Sequence, residues 1–347
     1  MQKGKYVLDQ VLSLSQTKVD LPTRNIIDGI ILTVEATYTN SDDTNAVSLT
    51  DEQLAAAIPE IRVVSDGANT HYALSLADIL VMNYYDTAGK VPSLDTANSI
   101  AASGSLTKKF TVRLDGGDIV AAVKQSLAIS IQTNPTVAPT VSLTDLSITI
   151  TIDEIVIQDL MELIERYGEN LEYMAEPKIT ATEVNASANT SFTGLAETPV
   201  GNAIIRSFYI AKTTAGVRDD TIIDKYGMVD RNSTVLYKIP FTTGQHLDEQ
   251  EYNIDSALTG ITILDYAEEM APKDGISNLF DPAFGVKGWN YAKGDYLDAF
   301  KINTTGKIRI IRHELICADG LKAIIDDLPD NFGGEIIDEG ALPDNFE

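Results

Sequence analysis

Leu146-Ser147-Ile148-Thr149-Ile150-Thr151-Ile152 decides the fold class. Apolar and polar residues alternate through seven positions, and a period of two is the mark of a strand with one buried face. A helix, at about 3.6 residues per turn, would scatter these isoleucines around its circumference. The same alternation returns in Phe110-Thr111-Val112-Arg113-Leu114 and stops at Asp115-Gly116-Gly117. An apolar run from Ile26 to Val34 ends in the polar stretch Thr39-Asn40-Ser41-Asp42-Asp43. Many short β-prone runs punctuated by Thr, Ser, Asn, Asp, Gly and Pro predict a mainly all-β chain of sandwich or jelly-roll type.

Two stretches read as helix. Leu160, Leu163, Ile164 and Tyr167 share one face, Leu171 and Met174 continue the stripe, and Pro177 ends it. A shorter helix over Leu49–Ala57 has Thr50 placed to cap it and Gln53 to complete a capping box.

The chain reads as two similar halves. Pro22-Thr23-Arg24-Asn25-Ile26-Ile27-Asp28-Gly29-Ile30-Ile31-Leu32 opens one, and Pro199-Val200-Gly201-Asn202-Ala203-Ile204-Ile205-Arg206-Ser207-Phe208-Tyr209-Ile210 opens the other. Both run Pro-x-x-Asn, Ile-Ile, two less apolar residues, then three apolar ones, with Ala203 as a one-residue insertion. Each half closes on a long strand, Leu146 to Ile157 and Ile308 to Cys317, followed by a helix-like segment at Gln158 and at Gly320-Leu321-Lys322-Ala323-Ile324-Ile325. The expected organisation is an N-terminal arm (1–20), a first roll (21–157), a connecting helix (158–177), a second roll (178–318) and a short helix with an acidic tail (319–347).

Bulk properties agree with two packed domains. The chain has 347 residues, 44% hydrophobic and 22% charged, and its mean hydropathy is -0.03. No apolar stretch is long enough to span a bilayer, and the basic start lacks the apolar segment of a secretory signal. The single cysteine, Cys317, precludes an intrachain disulfide and reads as a small buried hydrophobe at the end of a strand. Against 51 acidic residues stand 26 Lys and Arg, a formal charge of -25. A surface of that sign disfavours direct contact with nucleic acid.

This arrangement resembles the double jelly-roll major capsid proteins of tailless icosahedral viruses, the lineage with internal membranes. The paired opening strands, the twin closing strands, the intervening helix and the length carry the resemblance. It implies two eight-stranded sandwiches side by side, and a homotrimer forming a pseudo-hexagonal capsomer that tiles a shell. The implied location is the virion, after synthesis in the host cytoplasm. Neighbouring capsomers, minor capsid or penton proteins and an internal membrane are the implied partners.

Three segments are candidate assembly contacts. In the N-terminal arm, Val7, Leu8, Val11 and Leu12 fit one helical face beside Lys3, Lys5 and Lys18, suited to an anionic membrane, to a neighbour's acidic tail, or to packing under the chain's own sandwich. In the tail, Leu328-Pro329-Asp330-Asn331-Phe332 recurs as Leu342-Pro343-Asp344-Asn345-Phe346. Leu328, Pro329, Phe332, Leu342, Pro343 and Phe346 would make two equivalent anchors; the alternative is a solvated acidic tail carrying a local duplication. Trp289, in the Gly- and aromatic-rich run Phe280–Tyr291, which reads as a loop, is a candidate for a subunit contact; a lid over the sandwich and a sugar-binding or receptor-facing surface are the alternatives.

Catalytic signatures are missing. His71, His246 and His313 have no metal-ligand spacing and read as surface or loop residues, and no nucleophile elbow or phosphate loop occurs. Acidic pairs such as Asp42-Asp43 and Asp219-Asp220 do not follow calcium-loop spacing. The chain is therefore read as a non-enzyme without cofactor or metal. The alternatives are a two-domain β-sandwich carbohydrate-binding or adhesin-type protein and, last, a glycan-active enzyme whose carboxylates converge only in three dimensions.

Overall fold

A computed structural model of the chain describes residues 2–90, 94–157, 176–193, 202–230, 235–265, 289–290 and 296–316. In the first half the order is β1 (Gln2–Val7), β2 (Leu12–Ser13), β3 (Lys18–Asp20), β4 (Ile26–Asn40), β5 (Val47–Thr50), α1 (Asp51–Ala55), β6 (Glu60–Ser65), β7 (Asn69–Leu74), α2 (Leu76–Asp86), β8 (Ala97–Ile100), β9 (Ser105–Leu114), β10 (Leu127–Gln132), β11 (Thr136–Ala138) and β12 (Val141–Val156). The second half follows with β13 (Glu176–Ala186), β14 (Ser191–Thr193), β15 (Asn202–Lys212), β16 (Ile223–Asp230), β17 (Val235–Pro240), α3 (Phe241–Glu251), β18 (Ile261–Asp265), β19 (Trp289–Asn290), β20 (Tyr296–Ile302) and β21 (Gly306–Ile316).

The opening and closing strands of each half pair with each other, β4 with β12 and β15 with β21, both antiparallel. Along β4, Ile30, Leu32, Val34, Ala36 and Tyr38 are buried, while the intervening residues face outward. On β12, Ile148, Ile150 and Ile152 complete the same inner layer. Each such isoleucine, moved from water to the core, contributes about 1.5–3 kcal/mol before chain entropy is counted.

Three sheets carry the two rolls. The first has the order β1-β12-β4-β9, with β2 and β11 also on β12. The second runs β18-β15-β21-β13-β7-β6-β10-β3 and crosses from one roll to the other, because β13 pairs in parallel with β7. The third has the order β14-β20-β16-β17. Read from the joint outward, the strands repeat: β13-β21-β15-β18 corresponds to β1-β12-β4-β9, and β17-β16-β20-β14 to β7-β6-β10-β3.

Bulges fix this correspondence residue by residue. In the first roll Gly29 pairs with Asp153 and Ile27 with Glu154, so Asp28 bulges; in the second, Arg206 pairs with His313 and Ile204 with Glu314, so Ile205 bulges. The hairpins agree as well. Val63 faces Tyr72 and Val64 faces Thr70 with His71 bulged, while Met228 faces Tyr237 and Val229 faces Val235 with Leu236 bulged. Bulges at matching places mark a repeated design. The halves thus align without a gap, Ile27 on Ile204, and Ala203 is not an insertion. Each strand absorbs its extra residue in a bulge, which the apolar pattern alone misplaces.

Other expectations change too. Thr50 caps α1 and the capping box with Gln53 forms, over Asp51–Ala55 rather than Leu49–Ala57. Glu176 and Pro177 begin β13 instead of ending a connecting helix; residues 158–175 lie outside the described residues. The N-terminal arm is not a helix. Gln2–Val7 runs antiparallel along Thr151–Val156 as an edge strand, tied by Lys3–Asp28 at 3.1 Å and Lys5–Asp153 at 3.0 Å. Alternating exposure along it and a long partner strand settle strand over helix.

Candidate functional site: the joint between the rolls

The joint is built on the outer face of the β15–β21 sheet. Phe208, Ile210, Ile311 and Ile179 turn away from the interior of the second roll and join the core of the first. Their neighbours Tyr209, Ile308 and Ile310 point the other way, into the second roll's own core. This sheet is therefore buried on both faces, which explains its nearly continuous apolar sequence. Tyr85, from α2, sits edge-on to Phe208 at 6.0 Å and to Tyr252 at 5.6 Å, and its hydroxyl accepts the Leu258 amide at 3.2 Å.

Charge is divided across the joint. The first roll supplies acids and the second supplies bases. Arg206 Nη1 meets Asp86 Oδ1 at 2.6 Å, and Arg309 holds Asp78 through two bonds, 2.7 Å from Nε and 2.5 Å from Nη2. Arg218 reaches Glu52 at 2.8 Å and also Asp95, while Lys212 reaches Glu52 at 2.9 Å. Burial pushes the Glu52 carboxyl up, but Lys212 and Arg218 together bring it below the usual carboxylate range. One pair is reversed: Lys124 Nζ of the first roll lies 2.7 Å from Glu176 Oε2 of the second, with side-chain exposures of 0% and 4%. The Val120 amide donates to the other Glu176 oxygen at 3.1 Å.

His71 and His313, expected at the surface or in loops, are buried here. The bulge aims His71 across the joint, where its Nδ1 lies 3.2 Å from the Pro177 carbonyl and its Nε2 lies 2.9 Å from Ser65 Oγ. A carbonyl only accepts, so the proton sits on Nδ1 and Nε2 accepts from the serine. His313 Nε2 donates to the Gly116 carbonyl at 2.7 Å, and its buried Nδ1 has no hydrogen-bond partner among the described residues. That is the geometry of a neutral ring. Burial first, and the Arg206 charge second, hold the His313 pKa down to about 3 against the raising effect of the Gly116 bond; burial likewise lowers His71.

This sets a pH dependence. Below the ordinary imidazole value of 6.5 the unfolded chain binds protons that the folded joint refuses. Stability is complete above that value and falls as pH drops toward about 3, by about 1.4 kcal/mol per pH unit for each refused proton. Urea melts at pH 7 and pH 5 are expected to show the loss, and His313→Gln, whose amide can still donate to Gly116, is expected to lessen it.

The predicted contact residues divide. Val7 is 57% and Val11 38% exposed, Leu8 packs partly on the core, and Leu12 is fully buried beside β12. Leu12 thus packs in the core of the chain's own sandwich. Trp289 pairs through its backbone with Ile204, so a short strand replaces the expected loop at that point. Leu328, Pro329, Phe332, Leu342, Pro343 and Phe346 lie outside the described residues, as does Cys317. His246 is exposed and paired with Glu249. Asp42 is held by the amides of Thr44 and Asn45 and by the Thr44 hydroxyl, which bring its pKa down to about 2. Among the described residues no group of three His, Cys, Asp or Glu side chains converges as metal ligands.

No known sequence family matches the chain, and no curated protein is similar to it in sequence. Solved structures are. The crystal structure of the STIV major capsid protein (Sulfolobus Turreted Icosahedral Virus) superposes with a TM-score of 0.75 at 17% identity, covering 94% of this chain and 99% of that one. The major capsid protein of bacteriophage PM2 gives 0.51 at 12% identity, covering 91% and 98%. The Faustovirus major capsid protein gives 0.51 at 7% identity, covering 91% of both chains. With its two equivalent rolls joined through β13 and β7, the chain has the double jelly-roll fold of these capsid proteins.

Proposed function

We propose that the chain is the major capsid subunit of a tailless icosahedral virus, assembling as a homotrimer that tiles the shell. The observation that carries this reading is the equivalence of the two rolls in strand order and bulge position, held side by side in one sheet. Two like rolls per chain let three chains present six like corners, and six-cornered tiles cover a surface. The capsid structures of the same fold support the same role, which is architectural and not catalytic, and they do not favour the adhesin alternative. Further partners are neighbouring capsomers, minor capsid or penton proteins, and a membrane beneath the shell. An acidic surface of net charge -25 keeps the subunit from contacting the genome directly.

Negative-stain images of the purified protein test the reading: threefold particles with a hexagonal outline are expected, and uniform two-lobed single chains would overturn it. Deleting Asp327–Glu347 tests the twin-anchor role of the tail separately. Trimers are expected to survive and shell formation to fail; shells formed as readily as by the full chain would end the anchor idea.

A further inference from the structure

The first roll carries on its outer side the strand that the second roll uses at the joint. β1 holds in its sheet the place that β13 holds in the second roll's, and β17 holds the place of β7. β13 and β7 are partners: Ile179 pairs with Tyr72 and Thr180 with Ala73, in parallel. Among the described residues β1 and β17 each end their sheet, so each presents a row of backbone donors and acceptors along its outer side. The registers transfer directly. Lys5 faces Asp153 as Ile179 faces His313, and Tyr237 faces Met228 as Tyr72 faces Val63.

We infer that β1 of one copy pairs in parallel with β17 of a second copy, Lys5 opposite Tyr237 and Tyr6 opposite Lys238. The contact between copies is then a replica of the joint inside each copy. This rests on the proposed capsomer and adds its register and its residues.

Two observations beyond the strand order support it. Val7 on β1 and Val235 on β17 are 57% and 54% exposed, two of only three large hydrophobic residues more than half exposed among the described residues. Val7 stands where the second roll has Ala181, which packs against the joint core. The charge pattern repeats as well. Asp86, the last residue of α2, pairs with Arg206; the first roll has Gly29 at the matching place, and the Arg113 guanidinium lies over it, 2.9 Å from where a Cβ would be. Helix α3 follows β17 as α2 follows β7, with the same length, and its last residue is the exposed Glu251. A neighbour's α3 would therefore bring Glu251 to Arg113 as α2 brings Asp86 to Arg206.

The pairing is head-to-tail, so it closes a ring when the rotations sum to a full turn. In the proposed capsomer every second junction lies within a chain, so its three copies form a ring of six rolls.

Cysteine cross-linking tests the register. In a Cys317→Ser background, Tyr6→Cys is combined with Lys238→Cys, and Ala73→Cys with Thr180→Cys serves as the internal control. Paired strands bring Cα atoms within disulfide range, so mild oxidation that closes the control should also close the test pair. The expected result is a reducible covalent species of three chains holding the majority of the protein, absent from either single variant. If Tyr6→Cys with Lys238→Cys fails to fold, Lys5→Cys with Tyr237→Cys reads the same register. Particles of trimer mass whose chains stay separate while the control closes would overturn the pairing and leave the capsomer standing. A chain that remains a monomer would overturn both.

Discussion

Lys124→Met is expected to destabilise the chain by about 3–5 kcal/mol, because it leaves the Glu176 carboxylate in the joint with its charge uncompensated. Both side chains are almost fully enclosed, and the Val120 amide compensates only one carboxylate oxygen. The damage should fall on the joint, since Glu176 opens the strand that links the rolls. Adding Glu176→Gln removes the stranded charge and keeps an acceptor for Val120, so the double variant should recover most of the loss. Equilibrium urea melts of the two variants measure this. A Lys124→Met chain within about 0.5 kcal/mol of the parent would show that the pair is open to water and that the joint is looser than described.

Gly227→Ala is expected to be the most damaging single-methyl change. An added Cβ would run into the Tyr237 carbonyl oxygen and stand 2.9 Å from the Lys238 Cα, both backbone atoms of the paired strand. Backbone cannot rotate aside as a side chain can, so β17 must move off β16. The expected loss is about 3 kcal/mol, at the upper end of overpacking effects. Because β17 carries the proposed edge, assembly should fail with it. Thr304→Ala, at an exposed place in the same roll and away from that edge, is the matched control and should stay within about 0.5 kcal/mol of the parent. A Gly227→Ala chain that melts and assembles like the parent would mean that β17 is not held against β16 at this spacing.

Much of the fold was legible because strands announce themselves at period two. Ile148, Ile150 and Ile152 face inward as the alternation required, and the Thr50–Gln53 capping box forms as the residues indicated. The likeness of the halves was legible in outline only. Pairing register is a property of two strands, and a bulge such as Asp28 or Ile205 leaves no mark in either strand alone. The apolar pattern alone therefore suggests an insertion at Ala203 where the paired strands have none. The arm was misread for a related reason: Val7, Leu8, Val11 and Leu12 suit a helical face, and only the partner strand β12 selects extension. Helix α2 went unrecognised because Leu76–Asp86 is buried on nearly all sides and shows no polar face.

The joint itself was the least legible part. Nothing local distinguishes Lys124 and Glu176 from the many solvated charges of an acidic chain, since their burial follows from two segments 52 residues apart meeting in space. Without a ligand pattern, His71 and His313 read as surface or loop residues, yet the bulge and the doubly covered sheet enclose them. Of the contact residues proposed from sequence, Val7 is the one that the outer edge of the first roll presents most openly.

If the two rolls are parts of a six-cornered tile, other copies must complete it. The mass of the purified full-length chain in solution, followed by light scattering across concentration and salt, tests it most directly. A stable trimer, three times the 37.6 kDa chain mass, that persists on dilution is expected. A well-behaved monomer at every concentration and salt would contradict it.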